Sequence, residues 1–210
     1  MYLFLKHEIE YKAPAEYILD ADLDWTHFTH LHKKSHKLFM LLAKTPDYSV
    51  FLYRTRYVSF LPFSTGFVVF REYLPESEGY RQVYIPVNGG NPNVLESTHI
   101  RHEEKGTITS SAKFYFWLNW YWRLVPSLFC NLLRMRMIKV WNEDFSMIKE
   151  RIAKQSTTNQ ACSTPLPDLF RFDRVFLKEM PEAQVAFYGK MYKDFYNEKL
   201  SFKTKIRPQT

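Results

Sequence analysis

The sequence predicts an α+β domain in which a curled antiparallel sheet wraps one long helix and encloses an apolar cavity. Two observations predict it. The elements run strand, two short helices, a series of antiparallel strands and a long C-terminal helix, an order that lets one sheet grip one helix. Phe, Tyr and Trp make up 18% of the 210 residues, an excess suited to a bulky core or to a cavity lined for a flat, greasy ligand. No internal repeat argues for a solenoid instead.

Residues 2–12 alternate, with Leu3, Leu5, His7, Ile9 and Tyr11 on one face, and read as a strand. Pro14 opens a helix that Ala15, Tyr17, Ile18 and Leu19 continue. A second helical piece is expected through the histidines to about Ala43, ended by Thr45-Pro46. Tyr48 to Phe60 and Gly66 to Tyr73 read as strands, followed by a turn from Pro75 to Gly79. Tyr80 to Val87 is the next strand, then the turn Asn88 to Pro92. Val94 to Glu103 and Thr107 to Leu118 pair around Lys105-Gly106 as a hairpin. Trp120 to about Lys154 is one long helix, bent or restarted at Pro126. Residues 156–167 break the periodicity and read as a linker. The expected organisation is therefore a domain over 1–155, a linker over 156–167 and a C-terminal appendage over 168–210. The appendage holds an apolar patch at Phe170–Leu177, a helix from Glu182 to Asn197 and a basic tail.

The chain carries a net charge of +7, spread along its length. No Lys/Arg run interleaved with aromatics points to nucleic acid. A mildly basic surface suits an acidic redox partner or anionic lipid. Cys130 and Cys162 supply no disulfide framework, no zinc pattern and no iron–sulfur cluster of the chain's own. The first ten residues lack the apolar run of a signal peptide, so a cytoplasmic setting is expected. Phe114 to Leu133 approaches the length of a membrane span, but Asn119, Arg123, Pro126 and Asn131 interrupt it. A core-facing helix is the expectation there, with peripheral membrane contact through its aromatic residues as the other reading.

The chemistry concentrates in Asp24-Trp-Thr-His27-Phe-Thr-His-Leu-His32. Two histidines so close can bind a metal from one short element, and a carboxylate from elsewhere would complete a two-histidine, one-carboxylate face. The candidate carboxylates are Glu143 and Asp144, far downstream on the long helix. Asp24, three residues before His27, shares its helical face and could accept from its second ring nitrogen. A spacing of five positions from His27 to His32 does not suit a straight helix, so the segment must break or bulge between them. His32/His36 and His27/His30 would fit a regular helix and remain rival pairs. Glu143 and Asp144 also fit a solvated helix face. His99 reads as part of a polar strand edge. Arg54, Arg56 and Arg71 would hold a carboxylate or phosphate if they face inward, but such arginines more often face water.

Asp24-x2-His27-x4-His32, with the acidic stretch around Asp144, resembles the iron-binding motif of the catalytic domain of Rieske-type ring-hydroxylating oxygenase α subunits. The resemblance covers roughly residues 1–155 by organisation. It implies a START-like helix-grip fold, mononuclear non-haem Fe(II) held by His27, His32 and Asp144, and Asp24 as an electron relay or an orienter of His27. The Cys/His pairs of that family's Rieske domain are absent from this sequence. The resemblance therefore implies a stand-alone relative that oxidises a hydrophobic substrate with electrons from an external ferredoxin or reductase. The alternative is a metal-free lipid- or polyketide-binding protein or cyclase of the same fold. A third reading is an accessory subunit that docks an oxygenase through the tail.

Overall fold

A computed structural model describes residues 1–13, 15–23, 31–32, 36–56, 64–155, 170–187 and 189–190. Eight strands form one antiparallel sheet: β1 (Tyr2–Tyr11), β2 (His36–Lys44), β3 (Tyr48–Thr55), β4 (Thr65–Leu74), β5 (Gly79–Pro86), β6 (Asn93–His102), β7 (Thr107–Trp117) and β8 (Phe170–Leu177). Their order is β2-β3-β4-β5-β6-β7-β1-β8. The helices are α1 (Ala15–Leu23), α2 (Trp120–Leu124) and α3 (Pro126–Gln155), and residues 182–187 are also helical.

Consecutive strands from β2 to β7 pair with their sequence neighbours, as short turns allow. The β6–β7 turn uses Gly106 at φ 59, a left-handed conformation that costs glycine least. Gly79 is required for space: a Cβ there would collide with the carbonyl oxygen of Ser97 on β6. β1 returns beside β7, with Tyr2 opposite Trp117 and Tyr11 opposite Ile108.

Proline ends one helix and begins the next. Val125 closes α2, and Pro126 takes the first position of α3, where its missing N–H costs nothing. α3 lies against the concave face through two apolar clusters. At its start, Phe129, Cys130 and Leu133 pack on Leu3, Leu5 and Leu118. Further along, Phe145, Ile148 and Ile152 pack on Ile9, Tyr11 and Ile108, with Ile18 of α1. The opposite face of the sheet has its own cluster, where Phe187 packs among Tyr2, Val50, Phe70 and Val83.

The structure corrects one expectation of the elements and specifies another. His36–Lys44 is a strand, not the end of a helix. Its pairing with β3 shifts register between His36 and Leu38 and between Leu41 and Ala43. Those shifts erase the period-two alternation, and the apolar run Leu38–Leu42 then reads like a buried helix. The apolar patch at 170–177 is the eighth strand, paired along β1 with Tyr2 opposite Leu177. No helix among the described residues is long and apolar enough to cross a membrane. Trp120, Tyr121 and Leu124 of α2 are exposed.

Phe145→Ala tests the second cluster. It should destabilise the chain by about 3–5 kcal/mol in urea unfolding, while Met135→Ala, at an exposed position of α3, should leave the midpoint nearly unchanged.

Candidate functional site

Strand alternation sends every second side chain of the sheet to the concave side, and the i, i+3, i+4 face of α3 looks back at them. Between the two clusters that hold α3 lies a cavity of about 260 Å³. On α3 its wall comes from Leu133, Arg136, Met137, Val140, Trp141 and Asp144. The facing strands supply aromatic rings, among them Phe51, Tyr53, Phe67 and Tyr84. Phe67 stands edge-on to Tyr84 with centroids 5.8 Å apart, and Tyr53 meets Tyr84 at 6.1 Å.

Polar groups interrupt this wall at fixed places. Arg71 and Gln82 face each other across β4 and β5, each 2% exposed. The Gln82 amide satisfies both neighbours when its oxygen accepts from the Arg71 guanidinium and its nitrogen donates to the Tyr84 hydroxyl. Arg136 donates from Nη2 to Thr55 Oγ1 at 2.5 Å. Burial pushes the Tyr53 phenol pKa up, against a smaller opposing pull from Arg136. His99 Nδ1 lies 2.9 Å from Ser110 Oγ, and both residues line the cavity. His7 lies with its ring 4.0 Å from that of Trp141.

The structure brings together two of the predicted site residues. His32 is 1% exposed. Its Nε2 lies 2.8 Å from Asp144 Oδ1, and its Nδ1 lies 2.7 Å from Glu143 Oε2. Neighbouring carboxylates on α3 thus grasp one imidazole from both sides, and Asp144 also forms part of the cavity wall. Burial by itself would lower the His32 pKa. The hydrogen bonds and charges of Asp144 and then Glu143 outweigh it, so the pKa is raised. With both ring nitrogens facing carboxylates, the protonated ring, a donor at each end, is the form that fits.

Asp24, His27 and His30 lie outside the described residues. The rival His32/His36 pair fails as a helical pair, because His36 opens β2. Arg54 bonds Ser64 at an exposed position, whereas Arg71 faces inward. The reading of His99 as a polar edge is also corrected, since it is 6% exposed and lines the cavity. The pairing of His99 with Ser110 across the β6–β7 hairpin is the signal the sequence holds for it. Among the described residues, no group of three His, Cys, Asp or Glu side chains could hold a metal. His32 Nε2 and Asp144 Oδ1 offer two donors, and the third called for by the resemblance is His27.

No protein-family model matches the chain, and no curated protein does. Solved structures share its architecture. TTHA0849 from Thermus thermophilus superposes with a TM-score of 0.55 at 12% identity, over 73% of this chain and 99% of its own. The Zhui aromatase/cyclase from Streptomyces sp. R1128 gives a TM-score of 0.55 at 11% identity, over 72% of this chain and 96% of its own. The chain has the START-like helix-grip fold. At this identity the likeness carries the fold alone, and neither structure speaks for kinship with the oxygenases.

In this helix-grip domain the His32 contacts tie residues 31–32 to α3, and their contribution has a definite sign with pH. A histidine whose folded pKa exceeds the unfolded value of about 6.5 stabilises fully below that value and loses its contribution as pH rises through the folded pKa. Urea midpoints should therefore fall as pH rises above about 6.5 in the parent chain, and the fall should be smaller in His32→Gln. Asp144→Asn should cost about 1.5–3 kcal/mol at pH 6, and less at pH 9.

Proposed function

We propose that this helix-grip domain binds a hydrophobic small molecule with an aromatic or polyketide-like body between its sheet and α3, as a carrier or a cyclase-type enzyme. The observation that carries the reading is the cavity itself. It is walled by aromatic rings and interrupted by a few placed polar groups, the composition expected of a ligand site. The Streptomyces protein of the same fold is an aromatase/cyclase, which accords with such a ligand. The polar groups are of the kind that cyclisation of a polyketone uses. His99 beside Ser110 can move a proton, and tyrosine hydroxyls and guanidinium groups can hold oxygens that gain negative charge.

A neutral solvatochromic dye such as Nile red tests the pocket. It should bind with about one site per chain, and neutral polycyclic aromatics should displace it. Val140→Trp, which fills the cavity from α3, should weaken binding by about tenfold or more without altering the circular dichroism spectrum. Dye binding that ignores this substitution would place the ligand elsewhere and end the reading.

The contact between His32 Nε2 and Asp144 Oδ1, with Glu143 behind Nδ1, favours a second reading. A carboxylate behind one ring nitrogen is how proteins orient an imidazole that binds a metal through the other. In this reading His27, His32 and Asp144 hold one Fe(II), which would supply oxygen activation with electrons from an external donor. Anaerobic Fe(II) titration should then find about one iron per chain in the parent. His27→Ala, His32→Ala and Asp144→Ala should each lose it while remaining folded. A parent chain that takes up no iron rules this reading out.

A further inference from the structure

Arg71 is the group that a simple apolar pocket does not explain. Its side chain comes from the middle of a central strand, is 2% exposed and lines the cavity. Its cross-strand neighbours on the concave face are Ser49 and Gln82. The guanidinium carbon lies 4.1 Å from the Tyr80 ring centroid and 5.8 Å from that of Phe51. Tyr80, Phe51 and the Gln82 amide are neutral; they fix the direction of the guanidinium without changing its charge.

The charge balance of the wall points the same way. Among the described residues, two guanidinium groups line the cavity, those of Arg71 and Arg136. The carboxylate among the described lining residues is that of Asp144, and it lies against His32. Among the described lining residues the guanidinium charges therefore outnumber the carboxylate, within low-dielectric walls that concentrate the field on whatever enters. A guanidinium held beside a cavity keeps its fixed charge and presents it to whatever occupies that cavity. A planar fork of N–H donors matches a planar carboxylate in two parallel hydrogen bonds.

Building on the pocket reading above, we propose that the ligand is an amphipathic carboxylic acid. Its carboxylate meets the Arg71 guanidinium, and its apolar body lies along the rings of Phe51, Phe67 and Tyr84. Gln82 acts as a positioning residue that holds Arg71 through the amide oxygen. Arg136, at the β3 side of the cavity, adds to the positive field without contacting the carboxylate.

The test is a matched pair of probes titrated into the full chain at neutral pH: 2-naphthoate and methyl 2-naphthoate, which share a ring system and differ in charge. The acid should bind about tenfold or more tightly than the ester. Arg71→Gln should remove that preference, the acid losing at least tenfold more affinity than the ester, and Arg136→Gln should only reduce it. An ester bound as tightly as the acid by the parent chain overturns the proposal and leaves the pocket reading standing. So does a folded Arg71→Gln chain that keeps the preference for the acid. If neither probe nor a neutral dye binds, the pocket reading falls and this proposal with it. The comparison in the parent chain needs no substitution, so it decides the matter even if Arg71→Gln fails to fold.

Discussion

The structure depends on how α3 is held to the concave face of the sheet. Two apolar clusters do this, one built on Leu3 and Leu5 and the other on Ile9 and Tyr11, so that β1 carries both. Between them on the same strand face stands His7, against the edge of Trp141. The middle turns of α3 therefore bridge a space instead of filling it. Leaving about 260 Å³ unfilled would cost on the order of 6 kcal/mol if the space were dry and empty, at the per-volume cost of core cavities. That is comparable to the whole stability of many domains. A fold that needed only a core would close such a gap with larger side chains, and a gap of this size is best understood as room for a ligand.

Alternation then makes each polar residue on the concave side informative. On a strand of fixed register, a residue at an inward position cannot turn away from the cavity without shifting its whole strand. Ser97, His99, Gln82 and Arg71 all occupy inward positions and are at most 6% exposed. Each is buried at a cost that a leucine in its place would not incur. Their cross-strand relations organise that cost: Gln82 lies opposite Arg71, and Ser110 lies opposite His99. A chain selected only for stability would have little reason to keep this arrangement.

Much of this architecture is legible in the sequence because its signals are local. Alternation in residues 2–12, the turn at Lys105-Gly106 and the proline at 126 each fix their own element. β2 reads as a helix because its register shifts destroy the period that identifies a strand. The strand nature of Phe170–Leu177 depends on an edge of β1 more than 150 positions earlier in the chain, and no window of sequence contains that edge. The site divides in the same way. Joining His32 to Asp144 is legible, because a short histidine cluster and an isolated acidic pair on a long helix are both unusual. The inward aim of Arg71 and His99 is not, since alternation gives two faces without saying which one is concave.

The two readings of the site meet at His32, and they place opposite demands on it. Held between Glu143 and Asp144, the imidazole is a good cation, and its raised pKa expresses that fit. A metal ligand must give up the proton at the binding nitrogen, so carboxylates that stabilise the cation also oppose metal at low pH. The same Glu143 would, once Nε2 has lost its proton, hold Nδ1–H and keep the free nitrogen aimed at Asp144. One arrangement can therefore serve as a structural latch between residues 31–32 and α3 or as two thirds of a metal site. What separates the two is whether a third donor can reach Asp144 strongly enough to compete with a proton. As a latch, His32 acts behind the cavity wall and leaves the ligand to Arg71, His99 and the aromatic rings. As a metal ligand, it would bring the reacting centre to the same wall, because Asp144 belongs to both. Asp144 is thus where a binding pocket and a reactive one would coincide in this fold.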